Sequence, residues 1–379
     1  MDFSLTEEQH AAQSVAAEVF APRSAGIVGA PAPPSGAAWF DREAWGEAAA
    51  GNLLGLAVAE DVGGTGLGLL ETCTLLEMQG RHLARLPMAI TLAVAAPAID
   101  AFGPARLRES ILPAMVSGDS VLSAALVEPH SHDPLTVSTI AKDLGEAGWQ
   151  LDGEKICVPF AEHAEHILVP AETAENEVKV FLVEATADGV VLEGEQTTSG
   201  QPESRMVLTG VRVAADAVLA GPEGVDVLRW MVDRAVVATC AIQLGVAEQA
   251  LRMTSAYTSE REQFGRPIAM FQAVALRAAN AYLDVECIRS TLWQAAWALD
   301  NDRPVGHTVD VAKFWASEGG QRVTAAAQQL HGGMGVDTDY PLHRYTLWSK
   351  HNELSLGAGH SHLASIGAAM AWGSAERNN

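Results

Sequence analysis

A chain of 379 residues with 48% hydrophobic and 19% charged content can bury large cores, and neither figure suits a disordered or fibrous protein. Lysine and arginine number 24 against 47 acids, a net charge of −23. With no basic cluster along the chain, that balance excludes non-specific nucleic-acid binding.

Residues 1–119 read as an all-α domain. Ser4 and Thr6 offer helix N-caps, with Glu7 and Glu8 in the first turn. Residues 26–36, with Pro31, Pro33 and Pro34, read as a surface loop. Helices are predicted over 40–54, 69–83 and 91–102, with Glu71 and Glu77 on the polar side of the second. The glycine-rich turn at 60–68 lacks the Gly-Lys-Ser/Thr ending of a phosphate loop, and no strand precedes it. The longest nearly uncharged run, 86–99, is too short to span a bilayer and contains Pro87 and Pro97. The first residues show neither the basic stretch nor the apolar run of a signal peptide. Cys73, Cys157, Cys240 and Cys287 are widely separated, with no metal or redox spacing, and are expected as buried thiols in a reducing compartment. A cytoplasmic protein with no membrane segment is the expectation.

The texture changes near residue 120. Short β-branched segments at 121–127, 149–152, 156–158, 166–169, 178–183, 189–193 and 206–213 predict an antiparallel barrel or sandwich over 120–222. Residues 142–143 and 153–155 look like hairpin connections. His130, His132, His163 and His166 lack helical ligand spacing, and no metal is expected. Helices return over 223–379, at 225–259, 273–300, 308–330, 342–354 and 360–372. Ala235, Ala238, Ala241, Gly245 and Ala247 on the first of these allow close helix packing, and Trp293 and Trp297 share a core-facing side of the second. The fold class is α+β: a helical domain, a β domain and a helical bundle.

Chemistry concentrates at the corner between the helices at 225–259 and 273–300. Arg261 and Arg266 bring cations, Phe264 and Phe271 flat apolar faces, and Gln263 and Gln272 amides, while Gly265 and Pro267 break the helix. An arginine fork matches phosphate, and an aromatic ring can stack on adenine. The same residues also make an ordinary helix corner. A second glycine pair, Gly332-Gly333, follows Gln329 at the end of a helix; it reads as a helix stop or as a place where backbone approaches a ligand.

The order of domains and motifs resembles the acyl-CoA dehydrogenase family of flavoproteins over the whole chain. The matching motifs are the Gly63-Gly64 turn, Leu126-Val127-Glu128-Pro129, Gly153-Glu154-Lys155, the run from Arg261 to Pro267, and the run from Gln329 to Gly335. The resemblance implies FAD lying extended at a dimer interface, its ADP half held by the helical bundle of one subunit and its flavin by the barrel of the other. Arg261, Gln263, Phe264, Phe271, Gln272, Gln329, Gly332 and Gly333 would then hold the ADP half. The family base that takes the α-proton of an acyl-CoA thioester maps to Leu356 or, in a second group, to Ala235, and neither accepts a proton. Glu353 and Asp233 are the nearest acids, and Asp233 faces about 200° around the helix from Ala235. Where the family places a hydroxyl against the flavin stands Val127, and after Lys155 the chain reads Ile156-Cys157-Val158-Pro159.

The resemblance therefore implies no catalytic residue in this chain. It looks like the base-lacking subunit of actinobacterial α2β2 steroid side-chain acyl-CoA dehydrogenases. A sister subunit would carry the glutamate and flavin cradle, with acyl-CoA as substrate and an acceptor such as electron-transfer flavoprotein. The acidic surface suits a more basic partner. Two other readings remain open: a self-sufficient homo-oligomeric enzyme using Glu353 or Asp233, and a non-catalytic acyl-CoA-binding or scaffold protein.

Overall fold

The computed structural model describes residues 6–25, 36–129, 131, 133–221, 224–301 and 303–376. The predicted cap Ser4, loop residues 26–35, His130, His132 and the domain junction at 222–223 lie outside the described residues.

The N-terminal domain is helical: α1 (Glu7–Ala25), α2 (Arg42–Ala50), α3 (Leu69–His82), α4 (Met88–Ile90), α5 (Ala96–Phe102) and α6 (Ala105–Val116). Thr6 starts α1, its hydroxyl accepting from Gln9 N at 3.2 Å while Gln9 Oε1 accepts from Thr6 N at 3.0 Å. Between α4 and α5 the backbone widens into a π-helical stretch, Thr91–Ala95. Pro97, which has no N–H for the helical ladder, lies just beyond it.

The β domain is one curled sheet of β1 (Leu122–Ala124), β2 (Ile140–Asp143), β3 (Trp149–Pro159), β4 (His166–Thr173), β5 (Val178–Glu184), β6 (Val190–Glu195) and β7 (Glu203–Val213). Its order is β1-β4-β2-β3-β7-β6, with β5 also on β4. The four pairs β2–β3, β3–β7, β4–β5 and β6–β7 are antiparallel, but β4 pairs in parallel with β1 and β2, so the sheet is not wholly antiparallel. Two predicted hairpin connections fall inside strands. Lys142 and Asp143 end β2, and the turn follows at Gly145 (φ 64°) and Gly148 (φ 85°), whose left-handed backbone the turn requires. Gly153-Glu154-Lys155 lies within β3, where a register shift against β7 between Leu151 and Gly153 accommodates the glycine without ending the strand.

The C-terminal bundle comprises α7 (Gly224–Glu260), a two-stranded hairpin of β8 (Glu262–Gln263) and β9 (Arg266–Pro267), α8 (Gln272–Asp300), α9 (Thr308–His331), α10 (Leu342–Leu354) and α11 (Gly359–Glu376). α7 is long and apolar enough to cross a membrane, but most of its apolar stretch is buried inside the fold, as a core helix is. It crosses α3 at glycines: a Cβ on Gly245 would come within 1.9 Å of Glu77 O, and one on Gly80 within 2.0 Å of Ile242 O. That contact fixes the bundle on the N-terminal domain. Asp300 reinforces it, accepting from Leu69 N and Leu70 N at the start of α3 at 2.8 and 3.3 Å.

Glu77 is not on a solvated side. It is 2% exposed, and Arg81 and Arg289 approach it at 2.7 and 3.6 Å. Burial raises its pKa against the pull of those two cations. The predicted polar face of α3 is covered because α7 and α8 pack over it. Trp293 is half-buried against the main core.

Candidate functional site

A cavity of about 690 Å³ opens where the three domains meet. Ile90 and Val94 line it from the N-terminal domain, Val127, Ile156 and Cys157 from the sheet, Ala235 and Thr239 from α7, and Leu356 from the turn after α10. Both positions at which a base was sought, Leu356 and Ala235, thus converge on one space, and both present hydrocarbon. Among the described residues no lysine or arginine lines it.

Its carboxylates differ in kind. Glu128 is fully committed: Lys155 Nζ donates at 2.5 Å, Ser138 N at 2.7 Å, Thr139 N at 3.1 Å and Thr139 Oγ1 at 2.7 Å, and the Ser138 hydroxyl adds another bond. Burial would raise its pKa, but Lys155 and the hydroxyls outweigh it and hold the group at about 2. Burial draws Lys155 down to about 8 against the attraction of Glu128. These contacts tie the segment after β1 to β3, so two of the family motifs meet as a structural ion pair.

Glu203, at the start of β7, is a different case. His351 Nε2 lies 3.4 Å and Gln201 Nε2 3.5 Å from its Oε1, and the Cys157 thiol also contacts it. Burial, followed by the nearby Glu195 carboxylate, pushes Glu203 up to about 8. Burial, with the Lys313 cation behind it, pulls His351 down to about 4. Cys157 is exposed rather than buried as expected. A register irregularity between Lys155 and Val158 leaves it at φ 52° and lining the cavity. Although the residue as a whole is exposed, its thiol end lies against the cavity wall; that partial burial, with the Glu203 and Glu195 carboxylates, pushes the thiol up to about 12 and keeps it protonated. Cys287 is half-buried, whereas Cys73 and Cys240 are buried.

Lys313 is fully buried and donates to Asn352 O at 2.5 Å and Glu353 O at 3.2 Å. It satisfies carbonyls at the end of α10 and anchors the turn that carries Leu356. Leu356 sits at φ 55°, its carbonyl bonded to His362 Nε2 at 3.0 Å. The two alternative bases are not among the cavity residues. Glu353 Oε2 pairs with Lys350 Nζ at 2.5 Å. Burial raises Asp233 to about 6 against the neighbouring Arg229.

The corner after α7 faces the opposite condition. Phe264 (φ 54°) and Gly265 (φ 77°) turn the β8–β9 hairpin, and Ile268 N closes it on Arg261 O at 2.8 Å. Arg261, Gln263 and Gln272 are exposed, and Phe264 is 93% exposed. Gln263 Nε2 folds back on Glu262 O at 2.7 Å. Arg266 lies 4.3 Å above the Phe271 ring, which meets Phe264 edge-on at 6.1 Å. The second glycine motif is held to this corner by His331. Its ring stacks on Tyr257 at 4.5 Å; Nδ1 donates to Ala327 O at 2.8 Å, leaving Nε2 to accept from Tyr340 OH at 3.2 Å. Tyr257 lies one turn before Arg261 and His331 directly before Gly332. Gln329, Gly332 and Gly333 are exposed, and a Cβ on either glycine would meet nothing within 4 Å. Only the φ of 60° at Gly332 demands glycine for the fold itself.

The predicted binding residues and the two base positions therefore occupy separate places, since no corner residue lines the cavity. Glu203 and His351 escaped sequence reading because no spacing links a strand residue to one about 150 positions later. Tyr257 carried no signal either.

Two family models match: the acyl-CoA dehydrogenase N-terminal domain over residues 6–119 and its C-terminal domain over residues 222–371. Among curated proteins, acyl-CoA dehydrogenase FadE27 of Mycobacterium tuberculosis is 37% identical over 340 residues, covering 88% of this chain and 89% of its own. Among solved structures, a variant of the Tcur3481–Tcur3483 steroid ACAD is similar at 39% identity and TM-score 0.88, covering 97% of this chain and 99% of that one. The ChsE4–ChsE5 complex from Mycobacterium tuberculosis is similar at 35% identity and TM-score 0.89, covering 98% and 99%.

Proposed function

The chain belongs to the acyl-CoA dehydrogenase family, and on that premise we propose that it is a cytoplasmic subunit of a heteromeric FAD-dependent enzyme whose sister subunit carries the catalytic glutamate. The reaction is α,β-dehydrogenation of an acyl-CoA thioester. FAD, when bound, would supply the hydride acceptor for the β-carbon, and a carboxylate would have to take the α-proton. Leu356 and Ala235 cannot do so, and Glu353 is engaged by Lys350.

The residues fit the two halves of the cofactor unequally. Arg261 offers an open fork for the pyrophosphate and Phe264 a free ring for adenine, while Gln329 and the unobstructed backbone at Gly332-Gly333 complete that wall. Phe271 backs Arg266 and Phe264, and Gln263 and Gln272 edge the corner. The cavity does not fit the flavin ring. Where the resemblance places a hydroxyl against the flavin, Val127 and Ile156 offer no side-chain hydrogen bond.

The observation that carries the reading is this separation: an exposed corner away from the cavity, and a cavity with hydrocarbon at both family base positions and at the flavin-facing Val127. The grip then serves FAD on another polypeptide. Phe264 and Met270 at the corner and Leu276, Tyr282 and Leu283 on α8 are exposed large apolar residues, the kind a partner subunit would cover. The likeness to the Tcur3481–Tcur3483 steroid ACAD supports a steroid side-chain thioester as the acyl group, and the likeness to the ChsE4–ChsE5 complex supports a heteromeric, α2β2 assembly. Electron-transfer flavoprotein is the acceptor in this reading.

The test is the flavin absorbance of the full chain purified alone and after co-expression with its sister subunit. Flavin in the complex and none in the lone chain is the expected result. A stable yellow homo-oligomer that oxidises acyl-CoA would overturn the proposal.

A further inference from the structure

We infer that His331 is a positioning residue for the cofactor grip: its ring couples the Arg261 corner to the Gly332-Gly333 backbone, so that both meet the ADP half of one FAD already in place. The inference rests on the subunit reading for what the corner holds. It adds a buried residue that acts on the ligand only through its neighbours.

The two segments of the grip arise at the ends of different helices, α7 and α9. The corner bonds to itself: Ile268 N donates to Arg261 O at 2.8 Å, Gln263 Nε2 to Glu262 O at 2.7 Å, and Arg266 lies over the Phe271 ring. At the other segment the backbone of Gly332 and Gly333 is open, since a Cβ on either would meet nothing within 4 Å. An arginine fork on one segment and open backbone on the other serve a single ligand well only when both are placed beforehand. Otherwise binding must order them, at a cost in affinity.

His331 supplies that placement on three sides. Toward α7 its ring stacks on Tyr257, with centroids 4.5 Å apart and planes at 21°, and Tyr257 O in turn accepts from Arg261 N at 2.8 Å. Toward its own helix, Nδ1 donates to Ala327 O at 2.8 Å. Toward the loop that follows the glycines, Nε2 accepts from Tyr340 OH at 3.2 Å, and Tyr340 N donates to Asp337 O at 3.2 Å. The ring thus closes the base of the loop over 332–340. Gly332, next in the chain, turns at φ 60°, and Gly335 tucks under α9, where a Cβ would come within 2.6 Å of Gln328 O. The backbone that leaves the ring therefore takes its direction from it.

A plain helix stop would need only the bond to Ala327. The imidazole is 2% exposed, and burying it is unfavourable unless both nitrogens are used. Both are used here, and the stacked ring and the second partner belong to the two segments of the grip. Burial lowers its pKa against the Ala327 bond, which suits a neutral ring that donates on one side and accepts on the other. Phenylalanine in its place could stack but not bond, and alanine could do neither.

The experiment uses the purified complex stripped of flavin. FAD, and separately ADP as the probe of the grip alone, are titrated by calorimetry. Amide exchange over 332–336 is compared with the rest of the chain before ligand is added. His331→Ala should weaken FAD and ADP alike, each about tenfold, and should speed exchange over 332–336 selectively. His331→Phe, which keeps the stack on Tyr257, should stay within about threefold of the parent, as should Tyr340→Phe, which removes one hydroxyl. In an Arg261→Ala background, His331→Ala should cost less affinity than in the parent, because a ring that acts by placing Arg261 has less left to place. A residue that only supports the fold would cost the same in both backgrounds, and that result overturns the inference. FAD and ADP affinities within about twofold of the parent in His331→Ala, with Arg261→Ala about tenfold weaker, overturn it while the subunit reading stands. Unchanged affinity in Arg261→Ala removes FAD from the corner, and both fall. If His331→Ala does not assemble, Tyr340→Phe decides: parental affinity together with parental exchange over 332–336 overturns the inference.

Discussion

Two family motifs stand in opposite physical states. Glu128 and Lys155 are 4% and 1% exposed and satisfy one another inside the fold. Arg261 and Phe264 lie in solvent with their fork and ring turned outward. A motif that satisfies itself holds the fold together. Under the proposed function, one left open in the isolated chain has its counterpart elsewhere. On that reading the contrast separates residues that hold the fold from residues that serve another molecule, which similarity to a family cannot do alone.

The sharpest way to break that contrast is at the buried end. Lys155→Met leaves Glu128 buried without its cation, and the cost should be about 3–5 kcal/mol in denaturant unfolding. A loss below about 1 kcal/mol would mean the pair is not structural. The acid limb gives the sign independently. Glu128 has its folded pKa near 2, below its ordinary 4.5, so its contribution is complete above pH 4.5 and lost as pH falls towards 2. The parent should lose stability steeply over that range, and the Lys155→Met variant much less.

The exposed end should behave in reverse. Arg261→Ala in the chain purified alone should change unfolding free energy by less than about 0.5 kcal/mol, because the side chain is exposed; flavin is read in the purified complex. Flavin bound per complex should fall about tenfold under limiting FAD, the worth of a charge-assisted phosphate contact. Unchanged flavin with unchanged stability would make the corner an ordinary hairpin.

Most of the scaffold was readable in advance for a local reason. Helices such as 308–330 and 342–354 follow from apolar periodicity, and the observed Thr308–His331 and Leu342–Leu354 differ by a residue at most. The errors came where tertiary structure overrode a local signal. Gly153 looked like a turn, but β7 shifts register to accept it. Glu77 looked solvated, but α7 and α8 cover it with two arginines. The residues of the exposed corner could be singled out because they are consecutive. The Glu203–His351 pair was not, since only the packing of α10 against the sheet brings it together.

That pair supplies a smaller test with a definite pH window. Glu203 is raised to about 8 from its ordinary 4.5, so its stabilising contribution is full below 4.5 and lost as pH rises to 8. His351 is lowered to about 4 from 6.5, so stability tied to it grows as pH rises from 4 to 6.5. The facing groups are Cys157, Glu195, Gln201 and Lys313. The two trends oppose each other below 6.5, leaving a net fall between pH 6.5 and 8 on the order of 1 kcal/mol. Glu203→Gln should flatten that fall in thermal unfolding, and a variant with the parent's slope would show that Glu203 does not hold the proton.

The smallest expected effect decides between one chain and two. Glu353 lies on α10 near Leu356, but its carboxylate is held by Lys350 at 2.5 Å and does not line the cavity. The pair is partly exposed, so breaking it should cost at most about 1 kcal/mol of stability. Glu353→Gln in the active complex should therefore leave acyl-CoA turnover within about twofold of the parent. A base that takes the α-proton contributes on the order of 100-fold or more. A drop of that size, with flavin content and melting temperature intact, would restore a proton acceptor to this chain. The open corner at Arg261 would then serve a self-sufficient enzyme, and the cavity's missing base would be only one helical turn out of place.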